Sequence, residues 1–447
     1  MKRFWALCLA LMFCLPGCAL GEKAKNFPAV MKVDYQTKER EINQGRSFVS
    51  KDYISTVLPE VDAEINGLVD AFDDALSPQM TPDASKNPKR NSRLDIHVVN
   101  TRSGESTVSF LVLARESYYR KQKQSPVEAR VYDMATGQRI TLNDLFDEDS
   151  EAWDVLAETV FEELSNYFPQ QEADPATLNA LCTRKALMET PFMLGPVSLS
   201  FHYEAKILYP NQPSLMRVTV PYNALRGMMT EYGARQTDNS MYKMAALTFD
   251  DGPAYSTTAT LLNNLRRAGA QATFFLVGER IPEYADIVLR ENDENHSLQS
   301  HHYKHSDTSK STIPRIQEYT KKMYSIMTET FGLAPWMLRA PYGIFDYFIK
   351  AKVNLPLIEW DVDTKDWTGK ASGGVLSVVK ELTKDGSIIL MHDIKEKTPE
   401  SGRLAAEWLY QNGFMCVTME ELFIQYQQEM IPNKIYYSVD TKGALSN

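Results

Sequence analysis

The sequence predicts an α/β unit in its carboxyl-terminal half, with strands and helices alternating around a parallel sheet, preceded by an α+β region. Two observations carry this. From Met244 onward, short apolar runs alternate with amphipathic helical stretches, the pattern of repeated βα units. From about Glu22 to Arg235, half-buried strand patterns and a helical period occur without that regular alternation. A third observation gives the fold a function to look for: in the second half, titratable residues fall just after strand candidates, where α/β sheets and barrels place their chemistry.

Bulk properties narrow the field. A chain of 447 residues has room for two or three domains, and 43% apolar with 24% charged residues excludes a disordered or fibrous protein. No apolar run reaches the roughly 20 residues of a spanning helix, which excludes a multi-pass membrane protein. A net charge of −10 argues against a nucleic-acid partner, which would need a basic face.

At the start of the chain, Lys2 and Arg3 precede the apolar stretch Phe4 to Leu15, the layout of a secretory signal. It ends in Leu15-Pro16-Gly17-Cys18, which resembles a bacterial lipobox. The expectation is a lipoprotein signal and anchor region over 1–21, with Cys18 lipidated and the protein held on the outer face of the cytoplasmic membrane. A plain signal peptide with a nearby cleavage site is the alternative. Cys8 and Cys14 leave with the signal, and Cys182 and Cys416, far apart in sequence, are expected as two independent buried thiols.

Residues 22–235 are read as the α+β region. Leu94 to Val99, Thr107 to Leu113, Val127 to Val131, Val197 to Tyr203 and Leu215 to Val220 alternate as strands. Ala135 to Gln138 is a turn, and Asp154 to Phe168 carries Val155, Leu156, Val160, Phe161 and Leu164 at helical spacing. The Pro- and Lys-rich stretch Ser77 to Arg93 is a loop or subdomain boundary near 77–93, and the polar stretch Gly233 to Tyr242 is a linker. No metal or triad spacing occurs in this region.

In the second half, Ala245 to Phe249 is a buried strand candidate, followed by a helix that stops at Gly269. Ala272 to Val277 is another strand, and Ile313 to Phe331 a long helix ended by Gly332. Strand-like runs recur at Trp336 to Leu338, Leu355 to Trp360, Ile388 to Met391 and Phe414 to Val417. Right after the first strand comes Thr248-Phe249-Asp250-Asp251-Gly252-Pro253. Adjacent carboxylates at a strand end repel, so at least one needs a counter-charge, and Gly-Pro turns the chain sharply. Phe72-Asp73-Asp74 repeats the string inside a helical stretch without that setting, and is read as a solvated face. Four of the seven histidines, His296, His301, His302 and His305, fall within ten residues. His301 and His305 are four apart, which lets two imidazoles meet one ion; with Asp251 they would form a two-histidine, one-carboxylate site. Arg339 to Gly343, Asp363 to Trp367 and Leu390 to Asp393 follow further strand candidates.

These five segments, in this order and spacing, resemble the motifs of the polysaccharide deacetylases, the NodB-homology domains of carbohydrate esterase family 4. The likeness runs from about Met244 to Leu422, within an expected catalytic domain over 243–430 and a tail over 431–447. It implies a distorted, incomplete (β/α) barrel and a metal-dependent N-deacetylase. On that resemblance Asp251, His301 and His305 hold one divalent metal ion, zinc foremost, with cobalt and manganese as alternatives. Asp250 is the general base, Arg339 its partner, His392 the general acid, and Asp366 the residue that orients His392 and raises its pKa. The Tyr342 backbone N–H adds to an oxyanion hole, and Trp367 and Leu390 line an acetyl pocket. His302, Ser306 and Asn295-His296-Ser297 depart from the family pattern without removing a ligand. The amino-terminal region resembles, more loosely, domains that precede the catalytic domain in Gram-positive peptidoglycan deacetylases. The expected substrate is therefore a glycan polymer, N-acetylglucosamine or N-acetylmuramic acid of peptidoglycan, with chitooligosaccharide or another envelope glycan as the alternative. A further alternative is a non-catalytic, surface-anchored binding or sensor protein. No nucleic acid and no protein partner are expected.

Overall fold

The computed structural model describes residues 26–43, 47–80, 92–118, 121–123 and 126–443. The signal and lipidation reading at Met1 to Cys18, and residues 81–91 of the expected loop, lie outside them. No helix among the described residues is long and apolar enough to cross a membrane.

The amino-terminal region opens with a mixed sheet of β1 (Asp34–Ile42), β2 (Ser47–Ser55), β3 (Ser92–Ser103), β4 (Thr107–Tyr118), β5 (Lys121–Lys123), β6 (Val127–Asp133) and β7 (Gln138–Ile140). The strands run in the order β1-β2-β3-β4-β6-β7, with β5 on β4. β2 and β3 pair parallel, so the chain must cross over between them, and the helix Pro59–Leu76 does so. Its buried face, Val61, Ile65 and Val69 at four-residue spacing, packs with Leu94, Ile96, Val98, Phe110 and Val112. Asp73 on this helix is not part of a solvated face. It is 4% exposed and pairs with Arg40 at 2.5 Å and Lys51 at 2.8 Å, basic residues of β1 and β2 that no local pattern linked to it.

A second, antiparallel sheet of β8 (Phe192–Leu194), β9 (Ser198–Glu204) and β10 (Leu215–Pro221) follows. The helix Ala152–Ser165 lays Leu156, Val160 and Leu164 among its Leu199, Phe201, Met216 and Val218, while Phe161 is left exposed. The expected linker is structured instead. Glu231–Thr237 is a helix capped by the Thr230 hydroxyl, and Gln236, Thr237 and Asn239 are buried. The Asn239 amide donates to the Pro196 carbonyl at 2.7 Å and to Ser103 Oγ, and its oxygen accepts from the Gly104 N–H. Its polarity reflects buried hydrogen bonding, which composition alone does not distinguish from solvation.

The second half forms β11 (Lys243–Asp250), β12 (Thr273–Leu276), β13 (Ser297–Ser300), β14 (Leu357–Ile358), β15 (Val362–Asp363), β16 (Ser387–His392), β17 (Phe414–Val417) and β18 (Ile435–Tyr436). All their ladders are parallel: β13-β12-β11-β16-β15, with β17 on the first half of β11 and β18 on β14. The expected strand at Trp336 to Leu338 reduces to one residue, Leu338, which bridges Ser300 to Leu357 and carries the curve on to β14. No ladder joins β14 to β15 among the described residues, so the circle stays open there. This is a distorted, incomplete (β/α) barrel. β18 falls in the segment expected to be a tail, and contributes to the wall.

The two halves meet through buried charge. Arg266, on the helix Tyr255–Ala268, donates to Asp52 of β2 at 2.6 Å and to both carboxylate oxygens of Glu294 at 3.1 Å. Cys182 and Cys416 are unpaired thiols; Cys416 is buried as expected and Cys182 only partly so.

Candidate active site

The site is assembled at the carboxyl ends of the barrel strands. Asp250 is the last residue of β11 and His392 the last of β16, and the parallel register sets them side by side. After Asp250 the chain turns abruptly: Asp251 has φ +80° and the Gly252–Pro253 bond is cis. Gly252 is required by close approach, since a Cβ there would lie 2.0 Å from Asp393 Oδ2. His301 follows β13 directly, its N–H bonded to the Leu276 carbonyl at 2.8 Å, and His305 comes round from the next loop.

Asp251 Oδ1 lies 3.4 Å from His301 Nε2 and 3.2 Å from His305 Nε2, and the three ligand atoms all fall within 4.8 Å of one another. The donor set fits a divalent ion. His301 Nδ1 is 2.9 Å from the Arg339 carbonyl, so it carries the ring proton and leaves the Nε2 lone pair facing Asp251. Asp251 Oδ1 is buried without a hydrogen-bond donor among the described residues. Lone pairs and a carboxylate oxygen that converge in this way need a positive charge between them. Burial works to raise the Asp251 pKa, but the two imidazoles outweigh it and hold the group down to about 2. His305 is held below the usual histidine value, mainly by burial, which favours the neutral, ligating form.

On one side of this triad stands Asp250, 3% exposed, with Oδ2 4.0 Å from His301 Nε2. Its Oδ1 accepts from Arg339 Nη1 at 2.9 Å. Arg339 is wholly buried and bonded through every side-chain nitrogen: Nη1 also reaches Thr248 Oγ1 at 2.7 Å, Nε the Ile358 carbonyl, and Nη2 the Glu359 carbonyl. Its guanidinium centre lies 4.2 Å from the Phe275 ring centroid and 5.7 Å from that of Trp360. Held on so many sides, it fixes the carboxylate it contacts.

On the other side His392 Nδ1 bonds Asp366 Oδ1 at 2.8 Å, and Asp366 Oδ2 accepts from the His392 backbone N–H at 2.8 Å and from Thr398 Oγ1 at 2.7 Å. The imidazole is thereby set with Nε2 as the free nitrogen. Burial works to lower the His392 pKa, yet the bond to Asp366 and the charges of Asp250 and Asp251 raise it overall.

The remaining predicted residues surround this arrangement. Tyr342 has φ +60°, a strained conformation for a bulky residue; it is 64% exposed and its ring lies 4.5 Å from that of His305. Trp367 follows Asp366 in a short 3₁₀ turn and is 54% exposed. Leu390 is buried in β16, its carbonyl taking the Thr364 hydroxyl. Two of the clustered histidines stay outside the triad. His302 packs edge-on to Phe348, and His296 Nδ1 accepts the Ala272 N–H; burial presses them to about 4 and about 3.

Two carboxylates have no role in the sequence reading. Glu359 is 3% exposed beside Arg339; burial, opposed by Arg339 and reinforced by Asp250, pushes it to about 7. Asp393 lies under the Asp250 turn, bonded to Thr258 Oγ1 at 2.6 Å, with burial and the charge of Asp251 raising it to about 7. The available signals were a glutamate inside the otherwise apolar run Leu355 to Trp360, and the aspartate next to His392.

This barrel and its candidate metal-binding triad are the arrangement of a carbohydrate-deacetylase class of site. The polysaccharide deacetylase family model matches residues 237–355, which hold the first three of the five motifs. The chain belongs to the polysaccharide deacetylase family, a family of hydrolases. It is 31% identical over 188 residues to a peptidoglycan-N-acetylglucosamine deacetylase of Bacillus cereus, across 38% of this chain and 67% of the relative. It is 35% identical over 181 residues to the peptidoglycan-N-acetylglucosamine deacetylase PgdA of Listeria monocytogenes, across 40% of this chain and 39% of that one. To the peptidoglycan-N-acetylmuramic acid deacetylase PdaC of Bacillus subtilis it is 27% identical over 187 residues, 42% of this chain and 40% of the relative. The match thus spans about two fifths of the length of these last two relatives.

Proposed function

We propose that this protein is a metal-dependent N-deacetylase that removes acetyl groups from the N-acetylated amino sugars of peptidoglycan. The observation that carries the reading is the Asp251–His301–His305 triad, flanked by Asp250 locked on Arg339 and by His392 locked on Asp366. The names of the relatives above support peptidoglycan as the polymer.

A divalent ion bound by the triad, zinc by the chemistry of its donors, would polarise the acetyl oxygen and acidify an attacking water. The chain's own groups perform the proton work. Asp250 takes a proton from the water as its oxygen bonds to the acetyl carbon, and Arg339 holds that carboxylate in place. The backbone N–H of Tyr342 donates to the oxygen that gains negative charge. His392 then delivers the proton on Nε2 to the sugar nitrogen as the C–N bond breaks, and Asp366 stabilises the imidazolium that must be present at the start of this step. The products are acetate and a free amino sugar. Tyr342 and Trp367 offer exposed ring faces for the glycan, and Leu390 an apolar wall for the acetyl methyl.

We further place the protein on the outer face of the cytoplasmic membrane, anchored through Cys18. Replacing Cys18 with alanine should release the protein from the membrane fraction, and unchanged membrane retention would refute the anchor. For the activity, the test is mass spectrometry of purified peptidoglycan after digestion. It should show disaccharides lighter by one acetyl group, and the fragment pattern assigns the loss to one sugar; unaltered disaccharides would refute the reading.

A further inference from the structure

A cleft of about 1400 Å³ lies between the amino-terminal region and the barrel. Neither the triad nor Asp250, Arg339, Asp366 or His392 lines it. One wall is the second sheet. Register pairs Ser200 with Thr219 and His202 with Arg217, and strand alternation puts these four on one face. Their neighbours Leu199, Phe201, Met216 and Val218 face the apolar core. This polar sheet face looks across the cleft at the start of β13, at the end away from His301, where Ser297 and Gln299 donate to Glu420 Oε1 at 2.6 and 2.7 Å. The other Glu420 oxygen is buried without a partner among the described residues.

The lining is acidic. Glu162, Glu163, Glu420, Glu421 and Glu429 face it, against Arg217 and Lys321. Arg217 is already engaged by the Asn295 side chain at 3.2 Å and the His296 carbonyl at 3.3 Å. Glu163 is pushed to about 7 by burial and by Glu162, with no cation among the causes. Four aromatic side chains, Phe161, Tyr167, Tyr324 and Trp336, also line the cleft, Phe161 and Tyr324 well exposed. Ring faces for the C–H faces of sugars, and carboxylates for hydroxyl and ammonium groups, are the chemistry of glycan recognition. The volume exceeds the roughly 300–1,000 Å³ of ordinary small-molecule pockets and suits an extended ligand.

We propose that this cleft is a second glycan site, selective for strands that carry free amino groups, the product of the reaction at the barrel mouth. The identity of the ligand rests on the deacetylase reading; the cleft itself does not. A lining with five carboxylates against two cations favours an ammonium-bearing polymer over its neutral, acetylated form. An enzyme with such a site stays on strands it has already begun to modify.

The test uses glucosamine oligomers and N-acetylglucosamine oligomers with the full chain. In the Asp250→Asn protein, calorimetry should show glucosamine oligomers bound, and Glu163→Gln with Tyr324→Ala should weaken that binding at least about tenfold. The same pair should leave the binding of acetylated oligomers, and acetate release from them in the wild-type background, within about twofold. Glucosamine oligomers that do not bind, or bind equally well to the cleft variant, overturn the proposal. Equal weakening of both oligomers overturns its selectivity for amines. Acetate release by the wild type is scored separately: if it is absent while the cleft variant still loses amine binding, the deacetylase reading falls and the cleft stands.

Discussion

His301 Nδ1 sits 2.9 Å from the backbone carbonyl of Arg339, so the residue that aims Asp250 also orients an imidazole of the adjoining triad. The Nδ1–H donates to that carbonyl, Nε2 is left as a lone pair, and Asp250 and the triad are referenced to one rigid point. Arg339 can serve in both ways because its side chain is bonded on every nitrogen while its main chain lies against β13, its N–H bonded to the Ser300 carbonyl at 2.9 Å.

Arg339 therefore carries stability as well as geometry. Replacing it with methionine leaves Asp250 as an unpaired buried charge, and the expected cost is about 3–5 kcal/mol of folding free energy, read as a lower denaturation midpoint. Lysine cannot span the same four partners and should recover only part of the loss. A methionine variant as stable as the wild type would show that the pair does not hold this region together.

The triad should fail by losing its ion. His305→Ala removes a ligand on a loop and should leave the secondary structure intact by circular dichroism. Bound metal in the purified protein should fall from about one equivalent to a small fraction of it. Full metal content in the variant would mean that His305 is not a ligand.

Asp250→Asn should do the reverse. The metal stays, because the triad is untouched, while turnover drops by about 10²–10⁴-fold through loss of the base. Activity close to wild type would remove Asp250 from that role.

On the proposed mechanism, the alkaline limb of the pH profile should belong to His392. Its pKa is raised in the fold by Asp366, so the protonated acid persists to higher pH than an unperturbed histidine, and activity declines as pH rises through that value. Asp366→Asn removes the raising influence and should move this limb to lower pH, together with a fall in kcat. An unmoved limb would assign the acid to another group.

Much of this site was legible because its residues are scarce or placed at strand ends. His301 and His305 stood out in a chain poor in histidine, and Asp250, Arg339 and His392 each followed an apolar run. The helix Ile313–Phe331 was readable to both ends, with Thr312 capping its start and Gly332, at φ +72°, ending it. What could not be read depended on partners distant in sequence. Asp73 looked solvated until β1 and β2 supplied Arg40 and Lys51, and Gly233 to Tyr242 looked like a linker until Ser103, Gly104 and Pro196 took up the Asn239 side chain. Glu359 and Asp393 matter through burial beneath the site, which a glutamate in an apolar run and an aspartate beside His392 hint at but which the partners around them decide.

The account stands or falls on acetate release from N-acetylglucosamine oligomers by the purified protein, followed with and without a chelator. It predicts release that stops when the ion is withdrawn, returns on adding zinc back, and is absent in Asp250→Asn. Release indifferent to the chelator, or no release from any N-acetylated glycan by metal-replete protein, would contradict it.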